Sequence, residues 1–406
     1  MIFIDKKKNN GIIILKVGYN IKNLELLFKQ NESTNIKYYR KVLKVKNSSS
    51  GKRWVYKVIN QDFTGENIFE LINISKALVQ SNNNNKNISI NLQGVTFPDK
   101  LVYIMLECIC YYLINNSFRL NLNIDFERII PSDGAKYSPL VNCQNNQLRF
   151  IKRFYKDIDL KHLRRIIKFE ECSDSLLSEL GRDIFYFFKH QIKIISSINK
   201  DLTEVIVELI GNALEHGRSD CLIDIDVTGD DYYKYEQSMK TNIENHYFGI
   251  NVVILDFSGN KIYDELKNRF NNQEDIINRY KTVTIAQKYH LDNLNDYYHE
   301  NDFYTLVAFQ DRISGVTEKG KVGGRGLSRL IKSLEEQSDS HDCYVLSGNR
   351  CLNFKKEHMQ YDSNGFIGFN SQNDFFGDIP EIGTFVDCPT YFPGTAYNLT
   401  FVVKRG

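Results

Sequence analysis

Hydrophobic residues recur in two different patterns along the first third of the chain. From residue 1 to about 60, short apolar runs are broken by Gly, Asn and Ser, which predicts short strands with a turn at Asn47–Arg53. Two longer stretches, IFELINISKALV and Leu101–Ile114, predict helices, and the strand ISINLQGVTF lies between them. Residues 1–150 are therefore predicted to form a small N-terminal α/β module.

The order of strand and helix in this module resembles the STAS-like modules that accompany some regulatory ATPases, and the resemblance implies a sensing or partner-binding role. The chain then becomes rich in Lys and Arg between Asn146 and Lys168 and continues with helical patterns. We interpret residues 151–200 as a basic connector and helices between two domains. The length of 406 residues suggests that the chain has two domains.

The C-terminal half, residues 201–406, mixes helical patterns with strands. Alternation at Cys221–Thr228 and an apolar run at Tyr247–Phe257 predict two strands, and AYNLTFVVK predicts a final one. The segment CYVLSGNRCLNFK predicts a hairpin that turns at Gly348–Asn349. Helices combined with a mixed, mostly antiparallel sheet indicate an α/β fold, a two-layer sandwich with helices on one face of the sheet.

Composition narrows the functional classes. The chain carries 52 lysines and arginines against 50 acidic residues, so its net charge of +2 does not draw the whole molecule to nucleic acid or anionic lipid. No apolar run approaches the ~20 residues of a membrane helix and the N terminus lacks a secretory pattern, so we expect a cytoplasmic protein with no membrane contact. The eight cysteines lack metal-binding spacings and are expected to be buried free thiols.

The segment LTEVIVELIGNALEHG carries the most informative pattern. Its apolar residues cover most of a helix, whereas Glu204, Glu208, Asn212 and His216 recur every four residues as one narrow polar stripe. Buried polar groups need partners, so the stripe must meet water, a polar neighbour or a ligand. The solvent-facing edge of an ordinary helix is the alternative interpretation, and the identity of the residues favours a ligand.

The spacing E-x-x-x-N-A-x-x-H-G from Glu208 to Gly217 resembles the N-box of the GHKL ATPases, the superfamily of gyrase, mismatch-repair proteins and histidine kinases. It is most similar to the form found in bacterial anti-sigma-factor kinases. The resemblance implies that Asn212 binds Mg²⁺ between the phosphates and that Glu208 orients or deprotonates the attacking nucleophile. It also implies that His216 lies near the phosphates, although a helix-terminal His that interacts with free carbonyl groups is an equal alternative.

A second element resembles the family's aspartate turn. Asp256 ends the strand VVILDF, where the resemblance implies a carboxylate that accepts a hydrogen bond from the adenine amino group. The family pattern D-x-G-x-G is not kept, because Ser258 and Asn260 replace both glycines and Gly259 lies between them. This departure changes the loop but leaves the carboxylate in place.

A third element, GKVGGRG, precedes an amphipathic helix that begins near Leu327. It resembles the family's glycine-rich phosphate loop, which lies beneath a mobile lid, here expected at about Asp302–Val322. The phosphate contacts that the resemblance implies are Lys321, Gly323, Gly324, Arg325, Gly326 and Leu327.

Near the C terminus, Gly394–Thr395 opens a strand and is similar to the family position whose threonine hydroxyl helps to hold adenine. Gly383–Thr384 is the competing candidate. Together the boxes extend over about residues 202–403 in the family's order. They imply a Bergerat-type domain at residues 201–406 that binds ATP and Mg²⁺.

Three activities agree with such a site, and all three leave the biological process open. The favoured one is ATP hydrolysis that drives a conformational or dimerisation switch, which implies a partner protein or a second copy of the chain. The alternatives are a protein kinase of the anti-sigma-factor type and a non-hydrolysing nucleotide sensor. His190 lies too close to the N-box and among aromatic residues to be a phosphate acceptor. By family analogy, such two-part ATPases suit bacterial regulation or defence.

Lysines, arginines and aromatic residues alternate between Lys37 and Lys57, a composition suited to stacking on single-stranded nucleic acid. A solvated strand face explains the same pattern. Because the net charge is near zero, nucleic-acid binding is the less favoured interpretation.

Overall fold

A computed structural model gives the architecture of the chain, and it is α/β as predicted. The structure describes residues 4–9, 12–17, 21–29, 39, 41–48, 51–81, 86–124, 138–140, 146–191, 196–228, 247–271, 278–313, 326–337 and 343–404. Within these ranges, none of the helices is long and apolar enough to cross a membrane.

The N-terminal part contains a hairpin and a four-stranded sheet. Its elements are β1 (Ile4–Asn9), β2 (Ile12–Val17), α1 (Leu26–Lys29), β3 (Leu43–Ser48), β4 (Gly51–Lys57), α2 (Gly65–Gln80), β5 (Asn87–Leu92), α3 (Lys100–Asn115) and β6 (Arg119–Ile124). The sheet has the order β3-β4-β5-β6, in which β3 and β4 are antiparallel and the other two pairs are parallel. The helices α2 and α3 connect the parallel strands, so this part is the α/β module that the sequence predicts.

The rest of the chain builds a six-stranded sheet with its helices. Its elements are α4 (Gln147–Tyr155), β7 (Lys156–Asp159), β8 (His162–Ile167), α5 (Asp174–Gln191), α6 (Ser196–Gly217), β9 (Cys221–Thr228), β10 (Tyr247–Asp256), α7 (Asp264–Asn271), α8 (Asn278–Asp292), α9 (Glu300–Ala308), α10 (Gly326–Gln337), β11 (Tyr344–Asn353) and β12 (Phe385–Lys404). The strand order is β11-β12-β10-β9-β8-β7. Each neighbouring pair is antiparallel.

The stretch predicted as a basic connector, residues 151–200, contributes two strands to this sheet. Both β7 and β8 lie at one edge, and β8 pairs with β9 over its whole length. Arg164 of β8 is buried because its guanidinium forms ion pairs with Glu107 of α3 and with Asp224 of β9, at 2.5 Å from the latter. The many charged residues of this segment did not indicate a buried strand, because the residues that neutralise Arg164 come from distant segments of the chain.

The predicted hairpin at Gly348–Asn349 is wrong. The segment is one continuous strand, β11, which pairs with β12 and carries a bulge at Gly348. Gly348 has a φ of 65°, a left-handed conformation that suits glycine in a bulge as well as in a turn. The glycine therefore bends the strand and does not reverse it.

The two faces of the six-stranded sheet pack on different helices. Alternate residues of β9, such as Ile223 and Ile225, join a core with α5, α6 and α10, which we call the front core. Leu222, which points the opposite way, joins a back core with α3 and α4. The described helices of residues 201–406 pack on one face of the sheet, as expected for that domain, and α3 and α4, on the N-terminal side of the chain, cover the back.

A network of charged side chains lies between α3 and the back of the sheet. Lys100 Nζ lies 2.7 Å from Asp224 Oδ1 and 2.9 Å from Asp226 Oδ2. His162 Nε2 lies 2.8 Å from Asp224 Oδ2. Burial by itself would raise the pKa of Asp224, but the adjacent Arg164, Lys100 and His162 hold that pKa well below its ordinary value.

Candidate functional site

The polar stripe of α6 faces a cavity on the front side of the sheet. Apolar residues on the other sides of the helix, including Leu209 and Ile210, are fully buried in the front core. The cavity has a volume of about 570 Å³ and is bounded by α5, α6, α7, the first residues of α10, the end of β10 and the adjoining middle part of β12. The stripe is therefore a wall of a cavity, as expected if it meets a ligand.

The structure brings six of the twelve sequence-predicted site residues to this cavity. Its lining includes Glu208, Asn212, His216, Asp256, Leu327 and Thr395. Gly259 is not among the lining residues and lies in the turn after β10, where an added Cβ would be 3.7 Å from Leu26 Cδ1. Gly326 is the first residue of α10. Lys321, Gly323, Gly324 and Arg325 lie outside the described residues.

Asp256 lines the cavity, and its side chain is almost fully buried. Its carboxylate accepts hydrogen bonds from Ser219 Oγ at 3.0 Å, from the Ser258 amide at 2.9 Å and from Ser258 Oγ at 2.9 Å. Burial raises its pKa to about 6, although these hydrogen bonds act in the opposite direction. Ser258 thus anchors the carboxylate through both its amide and its hydroxyl.

Two glycines let the backbone approach Asp256. A Cβ on Gly217, the last residue of α6, would overlap both carboxylate oxygens. A Cβ on Gly394 would overlap the Asp256 carbonyl oxygen. Both positions therefore require glycine for steric reasons.

The two Gly-Thr candidates lie in different places. Thr395 is the cross-strand partner of Asp256 and lines the cavity. Thr384 is buried elsewhere, and its hydroxyl donates to the Phe369 carbonyl at 3.4 Å. Only Thr395 of these two shares a wall with Asp256.

Glu208 and Asn212 occupy the middle of the α6 wall. Both side chains are partly exposed, and neither has a hydrogen-bond partner among the described residues. One turn earlier, Glu204 Oε2 lies 3.5 Å from Arg329 Nη1 of α10. The α10 helix, which follows the glycine-rich loop, is therefore adjacent to this end of the stripe.

His216 is paired rather than free. Its Nδ1 lies 2.6 Å from Glu265 Oε2 of α7, and its carbonyl accepts a hydrogen bond from Asn260 Nδ2 at 3.1 Å. The alternative of a helix-terminal His bound to free carbonyl groups is not what the structure shows for this side chain. The α7 segment thus forms the wall opposite the end of α6.

Sequence reasoning missed several lining residues. Arg329 could have been found, because it stands in the first turn of the helix after the glycine-rich loop. Glu265, Lys261 and Asp174 carried no signal, since each lies in an ordinary polar stretch whose position depends on the tertiary fold.

The predicted lid is wrong for its first part. Residues 302–308 belong to α9, and all of them are buried. Asp302 forms an ion pair with Arg350 of β11 at 2.6 Å. This segment is core because its apolar side chains fill the front core, and residues 314–322 lie outside the described part of the chain.

Acidic residues predominate in the described lining. The carboxylates are Asp174, Glu204, Glu208, Glu215, Asp256 and Glu265, and the basic residues are Lys261, Arg329 and His216. The described residues contain no group of three or more His, Cys, Asp or Glu side chains that could hold a metal. Asn212 fits Mg²⁺ in another way, because this ion commonly takes one or two protein oxygens and completes its shell with phosphates and water.

Comparisons of the chain with protein-family models, with curated proteins and with solved structures find no match.

Proposed function

We propose that the protein binds Mg·ATP in the front cavity and hydrolyses it to drive a conformational or dimerisation switch. The observation that carries this proposal is the convergence of Glu208, Asn212, Asp256 and Thr395 on one cavity, although they come from α6, β10 and β12. The order of these residues along the chain is the one that the resemblance to GHKL ATPases implies. The order of residues along the chain does not by itself bring them together in space. Their convergence on one cavity therefore supports the proposal independently.

The adenine end is assigned to Asp256 and Thr395. Asp256 is buried and held by Ser219 and Ser258, so its carboxylate has a fixed orientation. A fixed acceptor selects adenine, whose exocyclic amino group donates, over guanine, which presents a carbonyl oxygen at the same position. The phosphates would then extend along α6 toward Asn212 and Glu208.

The phosphate end is assigned to Asn212, Glu208 and the start of α10. Asn212 would hold Mg²⁺, which supplies charge neutralisation at the phosphates when bound. Glu208 has no partner among the described residues and can therefore accept a proton from, or orient, an attacking water. The first turn of α10 offers free N–H groups and a favourable dipole to a phosphate group.

A structural change at the cavity can be transmitted to the other side of the sheet. Arg329 of α10 is paired with Glu204, so a phosphate that attracts Arg329 would pull α10 away from α6. The same sheet is fixed to α3 by the charge network on its back. This arrangement supports a switch in which the N-terminal module responds to the nucleotide.

We assign this switch to the cytoplasm, where ATP is available and where free thiols such as those of the described cysteines persist.

The second candidate is a kinase that transfers phosphate to a partner protein. The N-box spacing of Glu208, Asn212 and His216, which is most similar to that of anti-sigma-factor kinases, favours it. The non-hydrolysing sensor is the third, because Ser258 and Asn260 depart from the family turn.

Incubation of the full chain with γ-labelled ATP separates these activities. Release of free phosphate without labelled protein is expected for the switch, and label on a co-purified partner would indicate the kinase. Tight binding with neither product would leave only the sensor.

The site assignment itself is tested by Asn212→Ala. We expect Mg·ATP binding to weaken roughly 100-fold, because charge-assisted contacts of this kind contribute about 1.5–3 kcal/mol. Thr384→Ala, which changes the Gly-Thr candidate outside the cavity lining, is the matched control and should leave affinity unchanged. Equal affinity of Asn212→Ala and wild type would remove the metal-ligand role.

A further inference from the structure

His216 and Glu265 form a pair in the cavity wall that has no role in the proposed function so far. His216 Nδ1 and Glu265 Oε2 are 2.6 Å apart, and the two side chains are 30% and 37% exposed. Both residues line the cavity. The pair is therefore preorganised by a short contact and still open to a ligand.

The place of the pair along α6 is fixed by the helix. His216 precedes Gly217, whose backbone packs on Asp256, and it follows Asn212 by one turn, about 6 Å along the axis. If adenine lies at Asp256 and the phosphates lie at Asn212, the pair faces the part of the nucleotide between them. In ATP that part is the ribose.

The chemistry of the pair also suits ribose better than phosphate. An ionised carboxylate only accepts hydrogen bonds, so the hydrogen between Glu265 and His216 comes from Nδ1, and Nε2 points away from Glu265. Phosphate oxygens are acceptors and carry negative charge, so Glu265 repels them. Ribose hydroxyl groups donate and are attracted to a carboxylate.

We infer that His216 and Glu265 recognise the ribose hydroxyl groups and make the site selective for ribonucleotides over deoxyribonucleotides. This inference rests on the proposed function, and it assigns His216 to the sugar and not to the phosphates. Glu265 acts both as an acceptor for a hydroxyl group and as the residue that positions the His216 ring.

Titration calorimetry of the full chain with Mg·ADP, Mg·2′-deoxy-ADP and Mg·3′-deoxy-ADP tests the inference without turnover. We expect at least one deoxy nucleotide to bind roughly 10-fold more weakly than ADP, as expected for the loss of a hydrogen bond to a charged group. Equal affinities for all three nucleotides would overturn the inference and leave the nucleotide site intact. No binding of any of them would overturn the proposed function as well.

A pair of variants assigns the selectivity to Glu265. In Glu265→Ala the ratio of deoxy-ADP to ADP dissociation constants should fall from roughly 10 to below about 2, because the charged acceptor is gone. Glu300→Ala is the matched control, since Glu300 is a half-exposed carboxylate paired with Lys267 at 2.8 Å outside the cavity. Its ratio should equal that of the wild type. A ratio that stays near 10 in Glu265→Ala would contradict the assignment.

Discussion

The two faces of the six-stranded sheet use polar side chains in opposite ways. On the back, Lys100, His162, Arg164, Asp224 and Asp226 are buried, and each has an oppositely charged partner. On the front, residues of the α6 stripe line a cavity. There Glu208 and Asn212 have no hydrogen-bond partner among the described residues.

The difference separates polar residues that hold the fold together from polar residues that remain accessible in the cavity. A buried charge is stable only with its partner, so the back-face network fixes how α3 packs on the sheet. A half-exposed group without a partner does not lower the stability of the fold as an unpaired buried charge does. Such a group remains available for binding. Variants on the two faces should therefore separate stability from function.

The largest expected effect is on the back face. Asp224→Ala would leave Arg164, Lys100 and His162 without their shared carboxylate, so the free energy of unfolding should fall by about 3–5 kcal/mol. Urea denaturation measures this decrease in the free energy of unfolding. On the front face, Asn212→Ala should change stability by less than about 0.5 kcal/mol. Similar losses in both variants would break the distinction between the faces.

The next effect is on turnover. Glu208→Gln should lower the rate of phosphate release by roughly 10²–10⁴-fold, the usual contribution of a general base, with binding of Mg·ATP kept. Steady-state phosphate release and equilibrium binding measure the two properties. Glu215→Gln, which changes an exposed carboxylate at the cavity edge, provides the comparison. Turnover retained in Glu208→Gln would refute the assignment of the base.

The third effect is on pH dependence, and it concerns Asp256, a carboxylate in the lining of the front cavity that is almost fully buried. The pKa of Asp256 is raised by burial to about 6, above its unfolded value of about 3.9, so the contribution of Asp256 to stability is present below pH ~4 and lost as pH rises through 6. Relative to Asp256→Asn, the wild type should lose about 2 kcal/mol of unfolding free energy between pH 4 and pH 7.

Asp256→Asn is well suited to this measurement. Its carbonyl can accept from Ser219 and from the Ser258 amide, and the Ser258 hydroxyl can donate to the Asn260 carbonyl, 2.9 Å away. The free energy of unfolding of both proteins is measured by denaturation from pH 4 to 8. If it changes with pH in the same way for both, the pKa of Asp256 in the folded protein is not raised.

The sequence by itself determined the α/β class, the order of most elements and the polar stripe of α6. These features depend on local periodicity, and Glu208, Asn212 and His216 are on one face of any helix that this segment forms. The steric need for glycine at Gly217 and Gly394 could not be inferred in the same way, because it arises from contact with Asp256 in another strand.

Only the tertiary structure decided which segments meet. The strand at His162–Ile167 contains two adjacent arginines, and one of them is buried only because Glu107 and Asp224 neutralise it from distant positions. Glu265 reaches His216 because α7 follows the Asp256 turn and packs beside the end of α6. Charge pairing and cavity walls are relations between segments far apart in the chain, and local periodicity carries no information about them.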